Sequence, residues 1–129
     1  MAGTEFVAVF NSLRGLLEPY ASQSEFTHTE GAGKYQLSSR VKSDRVGRPL
    51  FVGGVQVNKN YVSYHLMPIY MNPSLQTAMP PALKKRMQGK SCFNFTSIDA
   101  EMLRALRVLT AEAIASFKDV ELPWDDRRS

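Results

Sequence analysis

Residues 50–66 read LFVGGVQVNKNYVSYHL, and the alternation in this stretch decides the fold. In its first half Phe51, Val55 and Val57 face one side, with Gly53 between them, and Gln56 faces the other. In its second half Val62, Tyr64 and Leu66 face one side, and Tyr61, Ser63 and His65 face the other. A period of two belongs to a β-strand with one buried face. Asn58, Lys59 and Asn60 supply turn chemistry between the halves, so the stretch predicts an antiparallel hairpin. Gly53 and Gly54 read as a bulge or a close backbone approach, not as a dinucleotide-binding loop.

The same period extends outward. KYQLSSRV, residues 34–41, sends Tyr35, Leu37 and Val41 inward and Gln36, Ser38 and Arg40 outward, and KSDRVGRP joins it to the hairpin as a three-strand meander. CFNF, residues 92–95, predicts a fourth strand with Phe93 and Phe95 inward and Cys92 and Asn94 outward. Helical spacing brackets these strands. Phe6, Val9, Phe10, Leu13, Leu16, Leu17 and Tyr20 recur at three and four, with Thr4 as N-cap and Pro19 as terminator. Leu103, Leu106, Leu109, Ala113, Ile114 and Phe117 form a second stripe, capped by Ser97 and with Asp99 and Glu101 in its first turn. ASQSEFTHTEGAGKY, residues 21–35, has no period and reads as a loop in which His28 faces solvent. MPIYMNP is a turn into a short helical piece, and PPALKKRMQG predicts a helix from Pro80 or Pro81 to a cap at Gly89.

The order α-β-β-β-α-β-α is that of an α+β domain, a small antiparallel sheet of four to five strands with helices on one face. At 129 residues and 43% hydrophobic content the chain fits a single domain over 1–129, with 119–129 as a polar tail. One cysteine excludes an internal disulfide, the N-terminus lacks a secretory pattern, and no apolar run approaches bilayer length. The expectation is a cytoplasmic protein with no membrane partner.

The net charge of +4 hides an uneven distribution. Residues 31–98 hold ten lysines and arginines against Asp44, a net of +9, while 1–30 carry −3 and 99–129 carry −2. Crowded like charge favours water or an anionic partner: a small anion, an acidic protein or nucleic acid. LKKRMQGK, with Arg40, Lys42, Arg45 and Arg48, could neutralise phosphates, but no RNA-recognition or helix-turn-helix signature accompanies it. Nucleic acid therefore ranks last of the three.

The helix, then GRPLFVGGVQVNKNYVSYHL, then GKSCFNF leading into a helix with aspartate in its first turn, resembles the YdhG-like family of small domains of unknown function across nearly the whole chain. The resemblance implies an α+β fold more than an activity. Some members are described as frataxin-like iron chaperones, which brings in iron handling as an alternative. That chemistry uses a crowded ridge of carboxylates, hard ligands for a hard cation, and the first helix offers Glu5 and Glu18 beside a basic sheet.

With helices on one face, the other face collects Gln36, Ser38, Arg40, Gln56, Tyr61, Ser63, His65, Cys92 and Asn94, and Gly54 leaves room for a ligand to approach. Water or a second copy of the chain is the simplest occupant of such a face. His65 with Cys92 makes too few ligands for zinc, and no CxxC or HExxH spacing adds more. A Cys92 nucleophile activated by His65 is the enzyme alternative, though a lone cysteine beside two phenylalanines behaves as a small hydrophobe. GAGK, residues 31–34, precedes a strand where a phosphate loop would follow one. The reading is a binding module without catalytic machinery, cofactor or metal, able to form a homodimer, whose candidate ligand contacts are Lys59, Tyr61, His65, Arg86, Lys90 and Cys92.

Overall fold

The computed structural model describes residues 3–43, 47–72, 74–77, 79–88 and 92–119. The chain runs α1 (Gly3–Ala21), β1 (Phe26–Gly31), β2 (Lys34–Ser43), β3 (Pro49–Val57), β4 (Val62–Leu66), α2 (Met67–Met71), α3 (Ser74–Thr77), α4 (Pro81–Lys84), β5 (Met87–Gln88), β6 (Cys92–Phe95) and α5 (Ala100–Asp119). The strands form one antiparallel sheet in the order β1-β2-β3-β4-β6-β5, and the fold is α+β.

Both long helices lie on the same face of the sheet. Leu13 and Leu17 of α1 and Leu106 and Phe117 of α5 bury against Tyr35, Leu37, Val55, Tyr64 and Phe93 from the strands. The alternation in β4 and β6 is as expected, with Val62, Tyr64, Leu66, Phe93 and Phe95 inward and Ser63, His65, Cys92 and Asn94 half-buried on the outer face. The buried Tyr64 hydroxyl and Thr110 Oγ1 lie 2.6 Å apart and tie β4 to α5. Burial raises the Tyr64 phenol well above the ordinary tyrosine range, so the bond joins neutral groups.

Several expectations are corrected. The stretch read as a loop contains β1, whose residues pair in unbroken register from Phe26↔Ser39 to Gly31↔Lys34. Polar residues hid it, because an edge strand buries little: of its six positions only Phe26 is fully covered. GAGK supplies the tight turn between β1 and β2, with Gly33 at φ +67°, a conformation glycine adopts without penalty. β3 carries a bulge, because Leu37 pairs with Gly53 and the next residue, Ser38, pairs with Phe51. The extra residue, Val52, is fully buried on the helix side, and the shift turns Phe51 to the outer face instead of the expected core.

The helix boundaries also move. α1 begins at Gly3, so Thr4 lies within it, and it runs through Pro19 to Ala21. Ser22 Oγ donates to the Pro19 carbonyl at 3.0 Å, satisfying an otherwise open helix end. The N-cap of α5 is Asp99, not Ser97: Asp99 Oδ1 accepts the Met102 N–H at 2.7 Å. α4 is a single turn, and the chain is already in strand conformation at Met87. The Gly89 cap, the orientation of Val41 and the tail 120–129 lie outside the described residues. None of the described helices is long and apolar enough to cross a membrane.

Candidate functional site

The outer face of the sheet is concave along β2, β3, β4 and β6. Lys34, Gln36, Phe51, Gly54, Gln56, Ser63, His65 and Cys92 line a cavity of about 120 Å³ there. Gly54 forms its floor. A Cβ at that position would lie 3.1 Å from the Tyr35 carbonyl oxygen and 3.2 Å from Phe51 Cε1 and Cζ, so the bare backbone lets the Phe51 ring fold over the sheet. The Phe51 ring meets the His65 imidazole edge-on, with centroids 5.1 Å apart at 86°. The bulge at Val52 therefore builds the aromatic wall, by turning Phe51 toward His65.

His65 and Cys92 are direct cross-strand partners between β4 and β6, which places them side by side as expected. Burial pushes the His65 imidazole below its usual range and the Cys92 thiol above its own, against a smaller opposing effect of a backbone hydrogen bond from Phe93. At neutral pH the pair is a neutral imidazole beside a protonated thiol. A thiolate nucleophile needs the opposite shift. Cys92 Sγ donates to Asn94 Oδ1 at 4.0 Å, a weak contact in keeping with an inert thiol. At the other end of the cavity Gln56 Nε2 donates to Asn58 Oδ1 at 3.2 Å and Asn58 Nδ2 donates to Ser63 Oγ at 3.3 Å. This short chain holds two lining side chains in place from the β3–β4 turn.

Of the other expected contacts, Tyr61 stands half-buried just before β4 and does not line the cavity; its carbonyl accepts the Asn58 N–H at 2.8 Å, closing the turn. Lys59 is exposed in that same turn. Arg86 is exposed beside β5, the opposite edge of the sheet from β1; its backbone N–H donates to the Leu83 carbonyl at 2.9 Å and its carbonyl accepts the Asn94 N–H at 2.9 Å. Lys90 lies outside the described residues. The structure thus brings His65 and Cys92 together and leaves Lys59 and Arg86 apart from them.

Lys34 and Phe51 are lining residues that the sequence reading missed. Period two from Gln36 does point Lys34 outward, but its place in GAGK drew it into a loop. Nothing in the alternation of β3 could reveal Phe51, because a bulge inverts the period locally. Among the described residues no group of three or more histidines, cysteines or carboxylates is close enough to hold a metal. No protein-family model, curated protein or solved structure matched the chain.

Proposed function

We propose that the chain is a non-catalytic cytoplasmic binding domain of the YdhG-like kind, and that the outer-face cavity takes a compact anionic ligand. The observation that carries the reading is the charge of the lining. Among the described residues Lys34 is its one cation and no carboxylate lines it, and the titratable His65 and Cys92 are held neutral by burial. Gln36, Gln56, Ser63 and the protonated ring nitrogen of His65 can donate hydrogen bonds, and the Phe51 ring supplies an apolar wall. A volume of about 120 Å³ suits a small carboxylate or inorganic phosphate, not a nucleotide.

The test is a titration of isotope-labelled protein with inorganic phosphate, acetate and benzoate, followed by amide chemical shifts. Saturable shifts at Gly54, Ser63 and His65, lost in Lys34→Glu, support the reading. Shifts confined to Lys84–Arg86, or none for any of the three probes, refute it.

A further inference from the structure

We propose that β1 is a self-association edge, through which two copies of the chain join their sheets in antiparallel register about Thr29. The two borders of the sheet are unequal. β5 spans two residues and stands beside Lys84, Lys85 and Arg86, a short and charged border that offers little to a second strand. β1 spans six residues and pairs with β2 throughout without a bulge, and it contains no proline, lysine or arginine. Those are the devices by which proteins usually close an edge.

The ladder fixes which backbone groups face outward. The two-residue turn at Ala32 and Gly33 makes Gly31 and Lys34 a hydrogen-bonded pair, and alternation then turns Thr29 and Thr27 toward β2. The Arg40 N–H reaches the Glu25 carbonyl at 2.7 Å, in the same phase. Phe26, His28 and Glu30 therefore direct their N–H and C=O groups away from β2. Those of Phe26 are occupied, since its N–H donates to the Gln23 carbonyl at 3.1 Å and its carbonyl accepts Arg40 Nε at 2.9 Å. The outward groups of His28 and Glu30 remain for a partner strand.

A second copy arranged about a twofold axis at Thr29 places His28 opposite Glu30 of that copy, and Glu30 opposite its His28. All four outward groups of each strand are then paired. The side chains agree with this register. His28 and Glu30 lie on the same face, so an imidazole meets a carboxylate twice across the axis, and Thr29 meets Thr29, a favourable cross-strand pair. His28 is already held flat against Tyr35, with ring centroids 5.4 Å apart at 18°. Glu30 Oε2 lies 3.5 Å from Arg14 Nη1, and this neighbour tempers the charge that would otherwise guard the edge. Both side chains are ordered before association, which lowers its entropic cost. The inference is independent of the ligand cavity, which opens on the outer face.

The test is sedimentation equilibrium of the full chain across concentration. The expected result is a reversible dimer, weakened about tenfold in His28→Glu, where a carboxylate then faces a carboxylate twice across the axis. The double variant His28→Glu with Glu30→Lys sets opposite charges across the axis and should recover it. His28→Pro removes an outward N–H at an edge position where proline is tolerated, and should abolish the dimer. A monomer up to about millimolar concentration overturns the proposal. So does a dimer that neither His28 variant weakens, which would place the contact elsewhere, and so does failure of the double variant to recover the dimer, which would exclude this register.

Discussion

The bond between Tyr64 and Thr110 makes the seating of α5 on the sheet measurable. Both residues are at most 1% exposed, and their oxygens are 2.6 Å apart. Tyr64→Phe removes one oxygen and leaves the ring in place. The Thr110 hydroxyl can then turn to the carbonyl one helical turn back, so the expected loss is one net hydrogen bond, about 1 kcal/mol. Thr110→Val keeps the branched shape but strands the Tyr64 hydroxyl in the core, with a cost of about 2 kcal/mol. In the double variant neither polar group remains to be orphaned, and its stability should return to within roughly 1 kcal/mol of the parent. The coupling energy is then on the order of 2 kcal/mol. Urea denaturation followed by circular dichroism, analysed by linear extrapolation at constant m, measures all four proteins. Losses that add to within about 0.5 kcal/mol would refute the argument, because independent effects mean that the two hydroxyls do not meet.

Four further outcomes follow from the sheet. Gly53→Ala should cost roughly 2 kcal/mol, since its Cβ would stand 3.0 Å from the His65 carbonyl oxygen, which the β3–β4 ladder holds, and 3.3 Å from Leu17 Cδ2. Gly54→Ala should cost a comparable amount, because the Phe51 ring can swing outward but the Tyr35 carbonyl oxygen, 3.1 Å from the added Cβ, is held by the β2–β3 ladder, and it should weaken any binding of phosphate or carboxylate in the cavity; chemical denaturation and the titration above check both. Because burial lowers the His65 pKa in the folded protein, the unfolded chain takes up the proton first, near pH 6.5. Stability is therefore fully present above that pH and falls as the pH drops toward the lower native value, a slope that thermal melts should show flattened in His65→Gln. The raised Cys92 thiol predicts slow alkylation by iodoacetamide at pH 8 in the folded protein and fast alkylation in urea; equal rates would count against a buried neutral thiol.

The parts of the fold that were legible are those where alternation or helical spacing ran unbroken beside a deep core. β4 and β6 follow the period residue by residue, and the stripe from Leu106 to Phe117 is buried as read. The misreadings have separate physical causes. β1 carries Thr27, His28, Thr29 and Glu30, which no hydrophobic pattern marks, because its stability comes from backbone pairing with β2. The bulge at Val52 turned one expected core residue into a cavity wall. Asp99 displaced Ser97 as the α5 cap because both can accept a backbone N–H, and position in the chain alone does not choose between them.

The basic middle of the chain shows why charge summed along a sequence is a weak guide to a site. An antiparallel meander sends successive turns to opposite ends of the sheet. The β1–β2 and β3–β4 turns put Lys34 and Lys59 at one end, and Arg48 precedes β3 at the other. Lys84, Lys85 and Arg86 fall at the β5 border. Described cations close in sequence are thereby set at separate places around the sheet, which weakens their action as one field. What distinguishes Lys34 is its surroundings: it lies against a glycine floor, an aromatic wall and hydrogen-bond donors kept neutral by burial. A small anion there meets that cation together with hydrogen-bond donors, and hydrogen bonds to a charged group are stronger than those between neutral ones.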